Sequence, residues 1–299
     1  MKETLVSAII TTYKRPKEIV ARAIKSILAQ TYNPIEIIVV DDSPAEWEGR
    51  QEIADCVHIL CPKAILIQNE KNLGACVSRN RGLHAAKGEF IAYLDDDDEW
   101  LPEKIERQLS MFTTDRIGLV YCGSRIIIDE KRERVPKTLF VSENVHERLL
   151  CEGNFIGSTS FPLIRTKYLA DIGGFDELLQ SSQDYDTWIR LSELSDVAFV
   201  KEILVNYYSH TGERITLNIS KKKAGIERIL QKNKAFFLSH QKAKNRVLRE
   251  IGLAFAGCGK YREAIKFCIS NAAKNPRYMY MYFGIISACA KHCIKTIIR

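Results

Sequence analysis

Four consecutive aspartates, Asp95 to Asp98, follow the apolar run Phe90-Ile91-Ala92-Tyr93-Leu94. The run is short and bounded by Gly88, so it reads as a buried strand. If the strand geometry persists, Asp95 and Asp97 point one way and Asp96 the other. Packed carboxylates repel and resist ionisation unless a cation sits among them. Hard divalent cations take oxygen ligands, and Mg²⁺ or Mn²⁺ is typically held by one or two carboxylates plus substrate phosphates. The plain alternative is a solvated acidic turn. Ligands in open α/β sheets collect at the carboxyl ends of strands, which favours the cation site. A second acidic pair, Asp41-Asp42-Ser43, ends another apolar run, where Asp42 or Ser43 could simply cap the next helix. A third carboxylate, Asp184, opens a helical stretch, and Ser181-x-x-Asp184 has capping-box spacing. A helix N-terminus also keeps a carboxylate ionised and ready to accept a proton.

These residues need elements to hold them. Leu5 to Thr12 and Ile35 to Val40 read as buried strands, as does Ala64 to Gln68. Between the first two, Pro16 opens a helix with Ile19, Val20, Ala23, Ile24, Ile27 and Leu28 on one face. Asn72-Leu73-Gly74 turns into a helix over about 75–86 that contains Arg79, Asn80 and Arg81. This β-α-β-α-β-α-β alternation predicts a mostly parallel sheet flanked by helices, with Tyr13 and both acidic clusters at one edge. Further on, the pattern gives a helix over about 103–112, a long strand over 117–128 and a strand over 158–164. Gly173-Gly174-Phe175-Asp176 is a tight turn, and a helix follows with Trp188, Leu191 and Leu194 as its apolar positions. Short strands are expected at 197–200 and 203–208. From about Asn218 the pattern is helical, and 259–276 has the look of one helical-hairpin repeat, too little for a solenoid.

Composition separates two regions. The chain has 299 residues, 46% of them hydrophobic and 27% charged, as expected of a globular protein of more than one domain. Its net charge of +7 is unevenly spread: Lys221 to Arg299 holds 18 basic and 3 acidic side chains, a net +15, and the remainder is net −8. We divide it into a domain over 1–217 and a basic helical region over 218–299. The basic region, with Tyr278, Tyr280, Tyr282, Phe283, Lys291, Lys295 and Arg299, suits an anionic membrane surface. A nucleic-acid partner is not expected, because the acidic remainder would repel phosphate. The nine cysteines form no Cys-x-x-Cys pair and read as reduced thiols, mostly in the core. No signal peptide or spanning run is visible, so a cytoplasmic protein is expected, with the basic region as the part able to hold it peripherally on the inner membrane face.

In order, the chain carries Val6 to Arg15, Ile38 to Ser43, Asn72-Leu73-Gly74 through Arg79-Asn80-Arg81-Gly82, Gly88 to Asp98, Gly173 to Glu177, and Asp184 to Leu191. Together these resemble the inverting family 2 glycosyltransferases of the GT-A fold, over roughly residues 4–210. Departures include Lys14, where many relatives have Asn, and Gln183, where Glu is usual. The resemblance implies metal binding by Asp95 and Asp97, with Asp97 as the more direct ligand of Mn²⁺ or Mg²⁺. It implies donor contacts from Thr11, from Tyr13 stacked on the base, from Asp41 or Asp42 to uracil or ribose, and from Asp95 and Asp96. Asp184 would be the general base, and His210 could approach the diphosphate or the metal.

The implied reaction moves a sugar, hexosyl or N-acetylhexosaminyl, from a nucleotide-sugar donor, UDP-linked by expectation, to a glycan or lipid-linked acceptor in surface polysaccharide synthesis. The acceptor pocket would be built by 124–160 and the C-terminal part. Two other readings compete. A nucleotidyltransferase also uses a metal and a parallel sheet, but usually wants a glycine-rich phosphate loop, and Thr11 to Pro16 holds no glycine. The other is a non-catalytic nucleotide-sugar-binding module with a basic tail.

Overall fold

The computed structural model describes residues 4–129, 132–209 and 218–297, without the side chains of 291, 292 and 294–297. His210 lies outside the described residues, as does Arg299. In chain order the elements are β1 (Val6–Thr12), α1 (Lys17–Leu28), β2 (Ile35–Asp41), α2 (Arg50–Leu60), β3 (Ile65–Gln68), α3 (Ala75–Ala85), β4 (Phe90–Asp95), β5 (Glu99–Trp100) and α4 (Lys104–Leu109). They continue with β6 (Ile117–Ile128), β7 (Arg132–Arg134), α5 (Val145–Glu152), β8 (Leu163–Arg165), α6 (Thr166–Asp171), α7 (Gln183–Leu194) and β9 (Asp196–Ser209). The last are α8 (Ile219–Lys232), α9 (Lys234–Ser239), α10 (Gln241–Gly257), α11 (Tyr261–Lys274) and α12 (Tyr280–Ile297).

The chain divides into two compact units. One comprises Met1–His146, Asn154–Glu177 and Asp184–Thr211; the other comprises Glu147–Gly153, Leu178–Gln183 and Gly212–Arg299. The first is a mixed sheet in the order β3-β2-β1-β4-β8-β6-β9-β5, with β7 beside β6. The expected parallel core is present: β1 pairs parallel with β2 and β4, and β2 with β3. Beyond β4 the sheet is mixed, since β8 runs antiparallel to both β4 and β6.

Alternation of side chains along the strands sorts the layers. Val6, Ala8, Ile10, Ile37, Val39, Ala92 and Leu94 share a core with Val20, Ala23, Ile24 and Ile27 of α1. Each fully buried isoleucine contributes about 1.5–3 kcal/mol. On the other face, Gly82 of α3 lets that helix close onto the strands: a Cβ there would collide with Ile9. Leu28 and Leu194, expected on apolar faces, are exposed at the last turns of their helices.

Three expectations are corrected. The 158–164 stretch is strand only from Leu163; Ser158 to Ser160 turn away because their hydroxyls bond to the aspartate cluster. The two short strands expected at 197–200 and 203–208 are one strand, β9, whose pairing with β6 slips around Gly123. A slip of this kind absorbs the break in alternation that had suggested a gap. The strand before the aspartates ends at Asp95, because the Asp98 N–H closes a turn onto Asp95 O at 3.0 Å.

In the second unit, Ala264, Cys268, Ala272, Tyr282, Ile285 and Cys289 form the core between α11 and α12. Gly252 of α10 brings that helix against Cys268. Tyr282 is therefore not a surface aromatic: it is fully buried, and its hydroxyl lies 3.0 Å from Asn245 Oδ1. Tyr280 and Phe283 of the same helix are 62% and 68% exposed. Four of the nine cysteines are buried. Among the described residues no helix is long and apolar enough to cross a membrane.

Candidate active site

The parallel register puts the chemistry on one edge. Thr11 lies beside Val40 on one side and Asp95 on the other, and Thr12 beside Asp41. The carboxyl ends of β1, β2 and β4 thus deliver Thr11, Tyr13, Asp41, Asp42 and Asp95 to Asp98 together, at the place where such sheets bind ligands. Tyr13 is 43% exposed, beyond the end of β1. Lys14 takes a left-handed conformation, φ 48°, and its N–H donates to Ser43 Oγ at 2.8 Å. Asparagine adopts that conformation more readily than lysine, which gives a physical reason for the residue more usual at this position.

Asp41 and Asp42 are both buried and hold backbone. Asp41 Oδ1 accepts the Ser43 N–H at 2.9 Å. Asp42 accepts from Asn69 Nδ2 (2.6 Å) and from the N–H groups of Leu73 and Gly74 (both 2.8 Å). Asp42 is thereby the clamp that fixes the turn leading into α3, and it does not cap α2.

The four aspartates have separate surroundings. Asp95 accepts from Arg79 Nη2 (2.9 Å), Thr159 Oγ1 (3.0 Å) and Ser158 Oγ (3.0 Å). Burial alone would raise its pKa, but the Arg79 charge and these hydrogen bonds hold it below the ordinary value. Asp96 and Asp97 both bond to Arg15, from Nε at 3.0 Å and Nη2 at 2.9 Å. They therefore do not alternate faces: past Asp95 the chain is a turn. Burial pushes Asp96 up to about 7 against the Arg15 charge. Burial, then Asp95 and Asp97, push Asp98 well above the ordinary value. Its oxygens accept from Ser160 Oγ (2.6 Å) and the Tyr208 N–H (3.1 Å).

Asp184 stands near the start of α7. Its Oδ2 accepts from Asn154 Nδ2 at 2.9 Å and its Oδ1 from the Tyr185 N–H at 2.8 Å. Two ties brace this region. Asn80 bonds both backbone groups of Phe175, at 2.8 and 2.9 Å. Arg190 reaches Ile172 O (2.9 Å), Gly174 O (2.8 Å) and Asp186 (2.8 Å). Gly173 and Gly174 both have left-handed φ, 73° and 71°, and a Cβ on Gly174 would collide with Asn80 Oδ1. The Gly-Gly turn thus lets Asn80 in, and Asn80 follows Arg79, the partner of Asp95.

Sequence reading missed Arg15, Asn154, Ser158, Thr159 and Ser160. Only the hydroxyl run Ser158-Thr159-Ser160 offered a signal, and it was absorbed into an expected strand. Among the described residues, no three His, Cys, Asp or Glu side chains form a group able to hold a metal ion. The oxygen-only donors and the unfavourable crowding of carboxylates at 95–98 nonetheless fit a hard divalent cation that takes its other ligands from substrate phosphates.

Comparison with known proteins gives the family and the fold. The family model described as glycosyl transferase family 2 matches residues 7–173. Escherichia coli (strain K12) WcaA, named for glycosyl transfer in colanic acid biosynthesis, is 31% identical over 241 residues, covering 78% of this chain and 82% of that one. The Erwinia amylovora amylovoran biosynthesis glycosyltransferase AmsB is 28% identical, covering 73% and 77%. Among solved structures, S. aureus TarS 1-349 in complex with UDP-GlcNAc superposes with a TM-score of 0.57 at 17% identity, covering 96% of this chain and 92% of that one. That likeness speaks for the fold. On the family model, which matches more than half of its length, and the identity with WcaA, the chain belongs to glycosyl transferase family 2.

Proposed function

We propose that this protein is an inverting glycosyltransferase that moves a hexosyl or N-acetylhexosaminyl group from a UDP-sugar to a glycan or lipid-linked acceptor in surface polysaccharide synthesis. The observation that carries the reading is the meeting of β1, β2 and β4 at one edge, with Thr11, Asp41 and Asp95 in adjacent register. Supporting it, WcaA and AmsB are named for polysaccharide biosynthesis, and TarS is described in complex with UDP-GlcNAc.

In this reading Tyr13 stacks on the base, Asp41 and Thr11 fix uracil and ribose, and Asp42 holds the turn into α3. Asp96 accepts from a ribose hydroxyl of the donor in exchange for Arg15. Asp97, the more exposed partner of Arg15, would hold Mn²⁺ or Mg²⁺. Such a cation neutralises the charge that develops on the leaving diphosphate. Asp95 already accepts three protein hydrogen bonds, so we assign it to bracing the turn rather than to direct ligation. Asp184 takes the proton from the acceptor hydroxyl as that oxygen attacks the anomeric carbon. The bond from that carbon to the diphosphate oxygen breaks, UDP leaves, and the centre inverts in one displacement.

We further propose that the second unit docks on an anionic membrane face through Met279, Tyr280 and Phe283, which are exposed, beside Lys274 and Arg277. Aromatic and basic side chains together suit that interface. Incubation with UDP-sugars and Mn²⁺ tests the main reading. Release of UDP is expected. Release of pyrophosphate would mean nucleotidyl transfer, and release of neither would leave only a binding module.

A further inference from the structure

The loop 154–160 touches carboxylates at both of its ends. At one end Asn154 Nδ2 donates to Asp184 Oδ2 at 2.9 Å. At the other, Ser158 and Thr159 donate to Asp95 at 3.0 Å each, and Ser160 to Asp98 at 2.6 Å. The Ser160 hydroxyl also accepts the Asp95 N–H at 3.0 Å. One short segment therefore holds the carboxylate at α7 and the cluster at the end of β4.

Asn154 is itself fixed. Its Oδ1 accepts the Gly157 N–H at 2.9 Å, and its Nδ2 also reaches Gly157 O at 3.2 Å. Gly157 O in turn accepts from Trp188 Nε1 at 2.9 Å, on the same helix as Asp184. Gly157 has φ +97°, and a Cβ there would strike the Phe161 ring, so this turn is built for glycine. A short carboxamide supplies both things the position uses: an acceptor for the loop backbone and a donor for the carboxylate.

We propose that Asn154 is a positioning residue for Asp184, fixing which way its carboxylate faces, and that the 154–160 loop sets this carboxylate in register with the aspartate cluster. The inference rests on Asp184 being the base. An aspartate side chain can turn about two bonds, and a base misplaced by about 1 Å can lose about 10²-fold in rate. The Asn154 hydrogen bond removes that freedom at one oxygen.

The experiment is a double-mutant cycle on the full chain. Asn154→Ala and Asn154→Asp are made alone and in an Asp184→Asn background. Asn154→Asp keeps the acceptor for the Gly157 N–H and loses the donor. UDP release from UDP-GlcNAc, UDP-glucose and UDP-galactose with Mn²⁺ is followed, with UDP affinity measured by calorimetry. Each Asn154 variant is expected to lower kcat by about tenfold to a hundredfold, the worth of a hydrogen bond to a charged group. UDP affinity should stay within about twofold, and neither change should lower the residual rate of Asp184→Asn further. Losses that multiply, or UDP affinity that falls with kcat, would make Asn154 a general support of the site and overturn the inference. An inactive Asp184→Asn beside fully active Asn154 variants would overturn it alone. A fully active Asp184→Asn, or a wild-type protein that releases no UDP, would remove the base or transferase reading beneath it.

Discussion

Lys104 provides a test of how the turn after the aspartates is supported. It is fully buried, with Nζ 4.3 Å from the centroid of the Trp100 ring and 2.8 Å from Gln108 Oε1. Trp100 Nε1 donates to Ser160 O at 3.0 Å, which joins this layer to the loop that holds Asp95 and Asp98. Burial lowers the Lys104 pKa from 10.5 to about 8. Below pH 8 the amine is charged in both folded and unfolded chains, and the folded state bears the full penalty. Between pH 8 and 10.5 the folded chain has released the proton and the unfolded chain still holds it. Stability contributed by this group therefore rises with pH across that window. The gap of about 2.5 pH units, at about 1.4 kcal/mol each, gives about 3.5 kcal/mol. In Lys104→Met the penalty disappears, while Gln108 Oε1 loses its donor at a cost of about 1 kcal/mol. The variant should thus be about 2.5 kcal/mol more stable at pH 7, an advantage gone by pH 10.5. Urea unfolding followed by tryptophan fluorescence, for both proteins at several pH values, measures the difference. Tyr93, whose pKa burial raises, titrates in both proteins and drops out of the comparison; Cys122 interacts with the Lys104 charge, so the two proteins are compared in a Cys122→Ala background. Parallel stability curves across pH 7–10.5 would refute the reasoning.

Other outcomes follow from the same geometry. Asp97→Ala should fold normally and lose the Mn²⁺-dependent part of UDP binding; calorimetry with and without Mn²⁺ checks this, and unchanged metal dependence would refute the ligand assignment. Asp184→Asn should bind UDP as the wild type does and lose transfer by about 10²–10⁴-fold, the usual worth of a positioned base. Gly174→Ala should cost about 2–4 kcal/mol, combining a left-handed backbone of about 1–2 kcal/mol with displaced Asn80 hydrogen bonds; an unchanged melting temperature would show that Asn80 moves freely. Tyr280→Ser with Phe283→Ser should weaken sedimentation with anionic vesicles at low salt, where each basic residue near the surface contributes about 1 kcal/mol. Equal sedimentation of wild type and variant would leave these two aromatics without that role.

The sequence by itself determined the parallel half of the sheet and its reactive edge. Apolar strands of fixed period and short acidic ends force Asp41, Asp42 and Asp95 to Asp98 to one side, because parallel strands joined by helices all finish on the same edge. It also marked Asp184 at a helix start and the Gly-Gly turn at 173–174. What only the tertiary structure decided is how each carboxylate is used. Asp95 and Asp98 are adjacent in type and differ in state because Arg79 and two hydroxyls face the first, while burial beside other carboxylates governs the second. Asp42 became a backbone clamp through contacts with residues 69–74, about 30 positions away. Tyr282 was drawn inward because α11 and α12 pack on the face it occupies, leaving Tyr280 and Phe283 outside. Asn154 carried no local signal at all, since its meaning lies in a partner 30 residues along the chain. Periodicity reports which face of an element is apolar; it holds no information on which distant donor arrives at a given carboxylate, and that arrival sets its charge and direction.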